Sequence, residues 1–129
     1  MIDIENEVFT ELKTTLEKQF DNISVQGFGK PIPATLPCVT VLEADNYAVT
    51  ATRDSGSTEN HVDVMYEVNV YASSKTSGKK LFAAVDNIFL DMGFTRTTMT
   101  QITPDNADIY RIVGRYTARI SKDKTIFRR

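Results

Sequence analysis

From His61 to Phe94 the chain reads as an extended strand that turns directly into an amphipathic helix. Val62, Val64, Tyr66, Val68 and Val70 alternate with His61, Asp63, Met65, Glu67 and Asn69, the period-2 pattern of a strand with one buried face. After the polar stretch Ala72–Gly78 the period changes. Leu81, Val85, Ile88, Phe89 and Met92 then share one helical face. Gly93 follows at once, where a helix C-terminus favours a residue tolerant of positive φ. Strand and helix each carry an apolar face that needs cover, and packing one on the other covers both. The remaining segments are constrained to complete that layer.

The chain has 129 residues, enough for one domain (1–129) with a buried core. An apolar fraction of 41% and a charged fraction of 25% are ordinary for a globular protein. No apolar run approaches the roughly 20 residues of a membrane span. The opening Met1-Ile2-Asp3-Ile4-Glu5 is acidic and lacks the layout of a signal peptide, so a cytoplasmic site of synthesis and no membrane partner are expected. Asn22-Ile23-Ser24 matches a glycosylation sequon, which carries no weight in that compartment. Cys38 is the only cysteine and His61 the only histidine. That removes internal disulfides and most metalloenzyme and Cys- or Ser-hydrolase mechanisms, which need clusters of these residues.

Charge is unevenly placed. Residues 1–72 hold 12 acidic and 4 basic side chains, and residues 73–129 hold 5 acidic and 11 basic. In one domain the halves interleave, so part of this becomes cross-strand pairing. The remainder leaves unlike faces, which favour head-to-tail contact between copies.

Ile4, Val8, Leu12, Leu16 and Phe20 form an i, i+4 ladder that predicts a helix over Ile2–Phe20, with Asp21-Asn22 as its stop. Ile23–Val25 reads as a short strand. Pro31, Pro33 and Pro37 make Lys30–Leu36 an extended loop or edge. Cys38–Leu42 is a strand with Cys38, Thr40 and Leu42 on one face, and Cys38 reads as a small buried hydrophobe. A further strand is predicted over Tyr47–Arg53. The turn chemistry of Asp54–Asn60 then makes the tip of a long hairpin into His61–Tyr71. Beyond the second helix lie a Thr-rich strand (Phe94–Ile102), a turn at Thr103–Asn106 and a strand over Asp108–Ile120. That last strand sets Tyr110, Ile112, Gly114, Tyr116, Ala118 and Ile120 against Arg111, Val113, Arg115, Thr117 and Arg119. Residues 121–129 form a basic C-terminal tail with Ile126-Phe127 as its apolar anchor. The expected order is α-β-β-β-α-β-β, an α+β fold with two helices on one face of a largely antiparallel sheet.

Ser77-Gly78-Lys79-Lys80 before a helix invites a phosphate-loop reading, but Ser73 and Lys80 stand where the motif needs Gly and Ser or Thr. The row Arg111, Arg115, Arg119, with Arg96, suggests nucleic-acid contact. The strand's Tyr110 and Tyr116 lie on the opposite side, however, where they cannot stack on bases beside those arginines. Asp63 and Glu67 share the polar face of the central strand and are the natural partners of the arginines, within a copy or between copies. His61 reads as a solvent-facing strand residue. Nothing in the sequence marks a concave pocket around Asp63 and Glu67, so no catalytic residue, metal site or cofactor is expected and the chain reads as a non-enzymatic module.

Taken over nearly its full length, the chain resembles the tail-terminator and tail-completion proteins of long-tailed bacteriophages. The resemblance lies in order and spacing: the N-terminal amphipathic helix, Gly29-Lys30-Pro31-Ile32-Pro33 ahead of Cys38–Leu42, the hairpin ending His61–Tyr71, the helix Gly78–Met92 closed by Gly93-Phe94, and Tyr110–Tyr116. It implies a self-associated ring, most often hexameric, at the head-proximal end of the tail in the virion, assembled in the host cytoplasm. Such a ring ends growth of the tail tube protein and offers a face to the head-side connector or stopper protein. DNA passes through its lumen without specific binding. Arg53, Asp54, Glu59, Asp63, Glu67, Arg111, Arg115, Arg119, Arg128 and Arg129 are the expected subunit and partner contacts. Alternatives are a head-completion or connector protein, the cap of a contractile tail-like particle, and a small nucleic-acid-binding α+β domain.

Overall fold

The computed structural model describes residues 2–27, 36–48, 61–102, 109–121, 123–124 and 126–127. The elements are α1 (Glu5–Gln19), β1 (Ser24–Gln26), β2 (Cys38–Ala48), β3 (His61–Ala72), α2 (Lys75–Met92), β4 (Thr95–Ile102), β5 (Tyr110–Ser121) and β6 (Ile126–Phe127). Up to β5 this is the expected α-β-β-β-α-β-β order. The sheet runs β1-β2-β3-β5-β4, with β6 also on β5. Only β1 is parallel to its neighbour; the other pairings are antiparallel. The long central strand β3 thus lies between two long antiparallel partners.

The period-2 reading of β3 holds. Val62, Val64, Tyr66, Val68 and Val70 are all buried, and they join both helices in one core with Val8, Leu12, Leu16, Leu81, Val85 and Phe89. Aromatic rings fill its centre. Phe89 stacks on Tyr116 with centroids 4.4 Å apart, and Phe94 meets Phe89 and Tyr66 edge-on at 5.2 and 5.4 Å. Each such pair adds roughly 0.5–1.5 kcal/mol beyond the area it buries. Gly93 takes φ 102°, letting its N–H and that of Phe94 cap the Leu90 and Phe89 carbonyls before the chain enters β4.

The structure corrects four boundaries. Helix α1 begins at Glu5 rather than Ile2, although Ile2 and Ile4 are buried. They precede the helix, and the Ile2 carbonyl accepts from Asn46 Nδ2 of β2 at 2.9 Å. Helix α2 begins at Lys75, three residues before Gly78. Ser74 Oγ accepts from the Ser77 N–H at 3.2 Å, and this cap starts a polar first turn that apolar periodicity cannot detect. Cys38–Leu42 and the start of the predicted Tyr47–Arg53 strand are one strand, β2, with a register shift between Glu43 and Asp45. The irregularity breaks the alternation and so splits the sequence pattern. Finally, Ile126-Phe127 is not just an anchor but a short strand opposite Ile120 and Arg119.

Candidate functional site

Both helices cover one face of the sheet, so the opposite face decides what the molecule presents. Its side chains are set by register. Residues directly opposite in a ladder share a face, and β3–β5 pairing places Asp63 across from Arg119 and Glu67 across from Arg115. Arg119 donates from Nε and Nη2 to the two Asp63 carboxylate oxygens at 2.9 and 3.1 Å. Arg115 reaches Glu67 Oε1 at 3.2 Å. Arg111 donates twice to Asn69 Oδ1, at 3.0 and 2.7 Å, and lies over the Tyr71 ring at 5.6 Å. The sequence-derived pairing of Asp63 and Glu67 with the arginine row is therefore present within one copy.

Electrostatically these are surface pairs. Arg119 and Arg115 are about half exposed, so solvent screens both pairs and each contributes little to stability. Their larger effect is to fix charges in a planned row. Arg96 does not belong to it. It lies opposite Tyr116, on the helix side, and bonds Asp86 at 3.1 Å. Asp86 also accepts from the buried Tyr116 hydroxyl at 2.8 Å. Burial, then Asp86, raises the Tyr116 phenol well above its ordinary range. Lys124 of the tail bonds Glu7 of α1 at 3.0 Å.

The outer face changes along its length. At one end Cys38, Thr40, Asn69, Tyr71 and Val113 are buried. Toward the other end Leu42 and Tyr47 are 45% and 55% exposed, beside half-buried Met65. There Asp45, Tyr47, Asp63, Met65, Thr117 and Arg119 line a depression. A concavity beside Asp63 is thus present where none was expected, because the register shift in β2 aligns Asp45 and Tyr47 with it; Glu67 is not among its lining residues. His61 is half-buried opposite Ser121 rather than solvent-facing. Cys38 is buried, as expected.

Ser77–Lys80 lies inside the first turns of α2, so it is no loop. Gly78 is there for packing: a Cβ would fall 2.6 Å from the Tyr110 ring. Arg53, Asp54, Glu59, Arg128 and Arg129, with the hairpin tip and the Thr103–Asn106 turn, lie outside the described residues.

A second group was not legible in the sequence. Asp3, Glu5 and Glu43 bring carboxylate oxygens within 4.8 Å of one another, the one such trio among the described residues. The chain's own donors meet them. Glu5 accepts from the Glu43 N–H at 2.9 Å, Asp3 from the Glu5 N–H at 3.0 Å, and Glu43 from the Tyr66 hydroxyl at 3.0 Å. Burial raises the Glu43 carboxyl above its ordinary range, opposed by the bonds from Tyr66 and Asn46. Burial and Glu43 in turn push the Tyr66 phenol far up. These contacts clamp the start of the chain on the β2 edge. The only sequence signal was the acidic opening, and nothing there pointed 38 residues ahead.

No protein-family model matches the chain, and no curated protein matches it. Solved structures do match; one of these chains aligns with a TM-score of 0.46 at 13% identity, over 84% of this chain and 92% of its own length. Among the described residues, no helix is long and apolar enough to cross a membrane.

Proposed function

We propose that this chain is a structural, non-enzymatic virion protein that forms a ring at the head-proximal end of a phage tail, ending growth of the tail tube and joining the tail to the head connector. The observation that carries this reading is the outer sheet face. It sets a fixed Arg–carboxylate row beside exposed Leu42 and Tyr47. Exposed large apolar residues rimmed by charge suit protein contact. The order of elements around β3 and α2 supports it as well, being the order on which the resemblance to tail terminators rests.

In this reading the ring is self-associated, most often six copies, with tail tube protein on one side and connector or stopper protein on the other. DNA crosses the lumen unread. Pairing of Arg115 and Arg119 with carboxylates favours that passive role over nucleic-acid binding, which wants arginines available to phosphates. The test is capping. Added to polymerising tube protein, the chain halts elongation and leaves a ring on the tube end; tubes that keep growing at saturating protein overturn the proposal.

A further inference from the structure

The two edges of the sheet are finished differently. On the β2 side, β1 pairs only Cys38–Thr40, and beyond it the Glu43 N–H is taken by the Glu5 carboxylate while Asn46 bonds the Ile2 carbonyl. That edge is capped by the molecule itself. On the β4 side, Thr95–Gln101 are all exposed, and among the described residues the strand pairs only with β5.

The backbone direction of that edge follows from one bond. Thr97 Oγ1 donates to the Arg115 carbonyl at 3.2 Å, which places this carbonyl on the β4 side of β5. Peptide groups alternate sides along a strand, so Arg111 and Val113 also point at β4 and bond their partners Ile102 and Thr100. Met99 and Gln101 therefore turn N–H and C=O outward. An exposed strand of this length without proline is a template for another strand.

We infer that the β4 edge pairs with the β4 edge of a second copy of this chain, antiparallel about a two-fold axis at Met99. Charge fits this occupant. Arg96 is the strand's only charged residue and Asp86 neutralises it, so two copies meet without repulsion. Side chains fit as well. Met99 lies opposite Gly114, on the helix side, and is 37% exposed, so at the axis it would meet its own equivalent as an apolar pair. On the outer face each Thr98 would lie across from Thr100 of the other copy, a favourable cross-strand pair. The register shift between Arg96 and Thr98 leaves Thr98–Thr100 regular about the axis, with Gln101 facing the shifted Thr97 of the other copy. A two-fold contact of this kind consumes both edges and cannot propagate around a ring. The pairing thus belongs to the free protein and stands independently of the ring proposal.

The experiment is sedimentation equilibrium of the free protein over a concentration series, with Met99→Pro and Met99→Lys beside it. Proline removes an outward N–H without touching the β5 ladder, and lysine sets like charges face to face at the axis. The expected result is a dimer in the native chain, half that mass in both variants, and unchanged circular dichroism in Met99→Lys. Amide exchange at Met99 and Gln101 is expected to slow as the dimer fills. A native chain monomeric at every concentration, or assemblies whose mass both folded variants leave unchanged, overturns the inference. Either outcome leaves the capping assay to judge the ring separately.

Discussion

Arg119 holds Asp63 with two parallel hydrogen bonds across the β3–β5 ladder, on the sheet face the helices leave open. Both groups are partly exposed, so Arg119→Ala is expected to lower folding stability only slightly, and less at high salt. A double-mutant cycle with Asp63→Ala, followed by chemical denaturation, measures the coupling. In the proposed ring a neighbour would cover the pair, and losing one partner would then leave the other charge buried and unpaired. Arg119→Ala is therefore expected to weaken tube capping far more than folding.

Phe89 is fully buried, stacked on Tyr116 and met edge-on by Phe94. Phe89→Ala removes the ring from the centre of the core and leaves a cavity that its neighbours cannot fill. The expected loss is about 3–5 kcal/mol, read from the midpoint of urea unfolding at unchanged m-value.

Ser74 caps α2 seven residues ahead of Leu81, where the apolar pattern begins. Ser74→Ala is expected to cost about 1 kcal/mol in thermal or chemical unfolding and to speed amide exchange at Ser77. Ser74→Gly is expected to cost only a few tenths of that amount.

Burial holds the Glu43 carboxyl above its ordinary 4.5. A raised acid favours the folded state when protonated. Its contribution is complete below the unfolded value and is lost as pH rises through the folded one. Glu43→Gln, which cannot ionise and still offers an oxygen to the Tyr66 hydroxyl, is expected to gain on the native chain as pH climbs from about 4.5 toward neutrality. Paired denaturation curves across that window check the sign; a difference that shrinks with rising pH would contradict it.

Periodicity made the central layer legible. The alternation in His61–Val70 and the helical stripe from Leu81 to Met92 identified both elements and their buried faces. It also placed the arginines of β5 opposite Tyr110, Ile112 and Tyr116, and so anticipated Asp63 and Glu67 as their partners. Capping and irregularity were hidden. Ser74 starts a helix with no apolar residue in the first turn, and the register shift after Glu43 disguised one strand as two. Long-range convergence was hidden too. Glu5 meets Glu43, and Arg96 meets Asp86 rather than the arginine row, only once the layers close.

The central claim is that copies of this chain close on the end of a tail tube. The direct measurement is negative-stain imaging of tube ends after incubation with the purified protein, with tube length followed in the same samples. A ring on each capped end, its hole wide enough for a DNA duplex, together with arrested elongation is the result this account requires. Bare ends on tubes that continue to lengthen would contradict it.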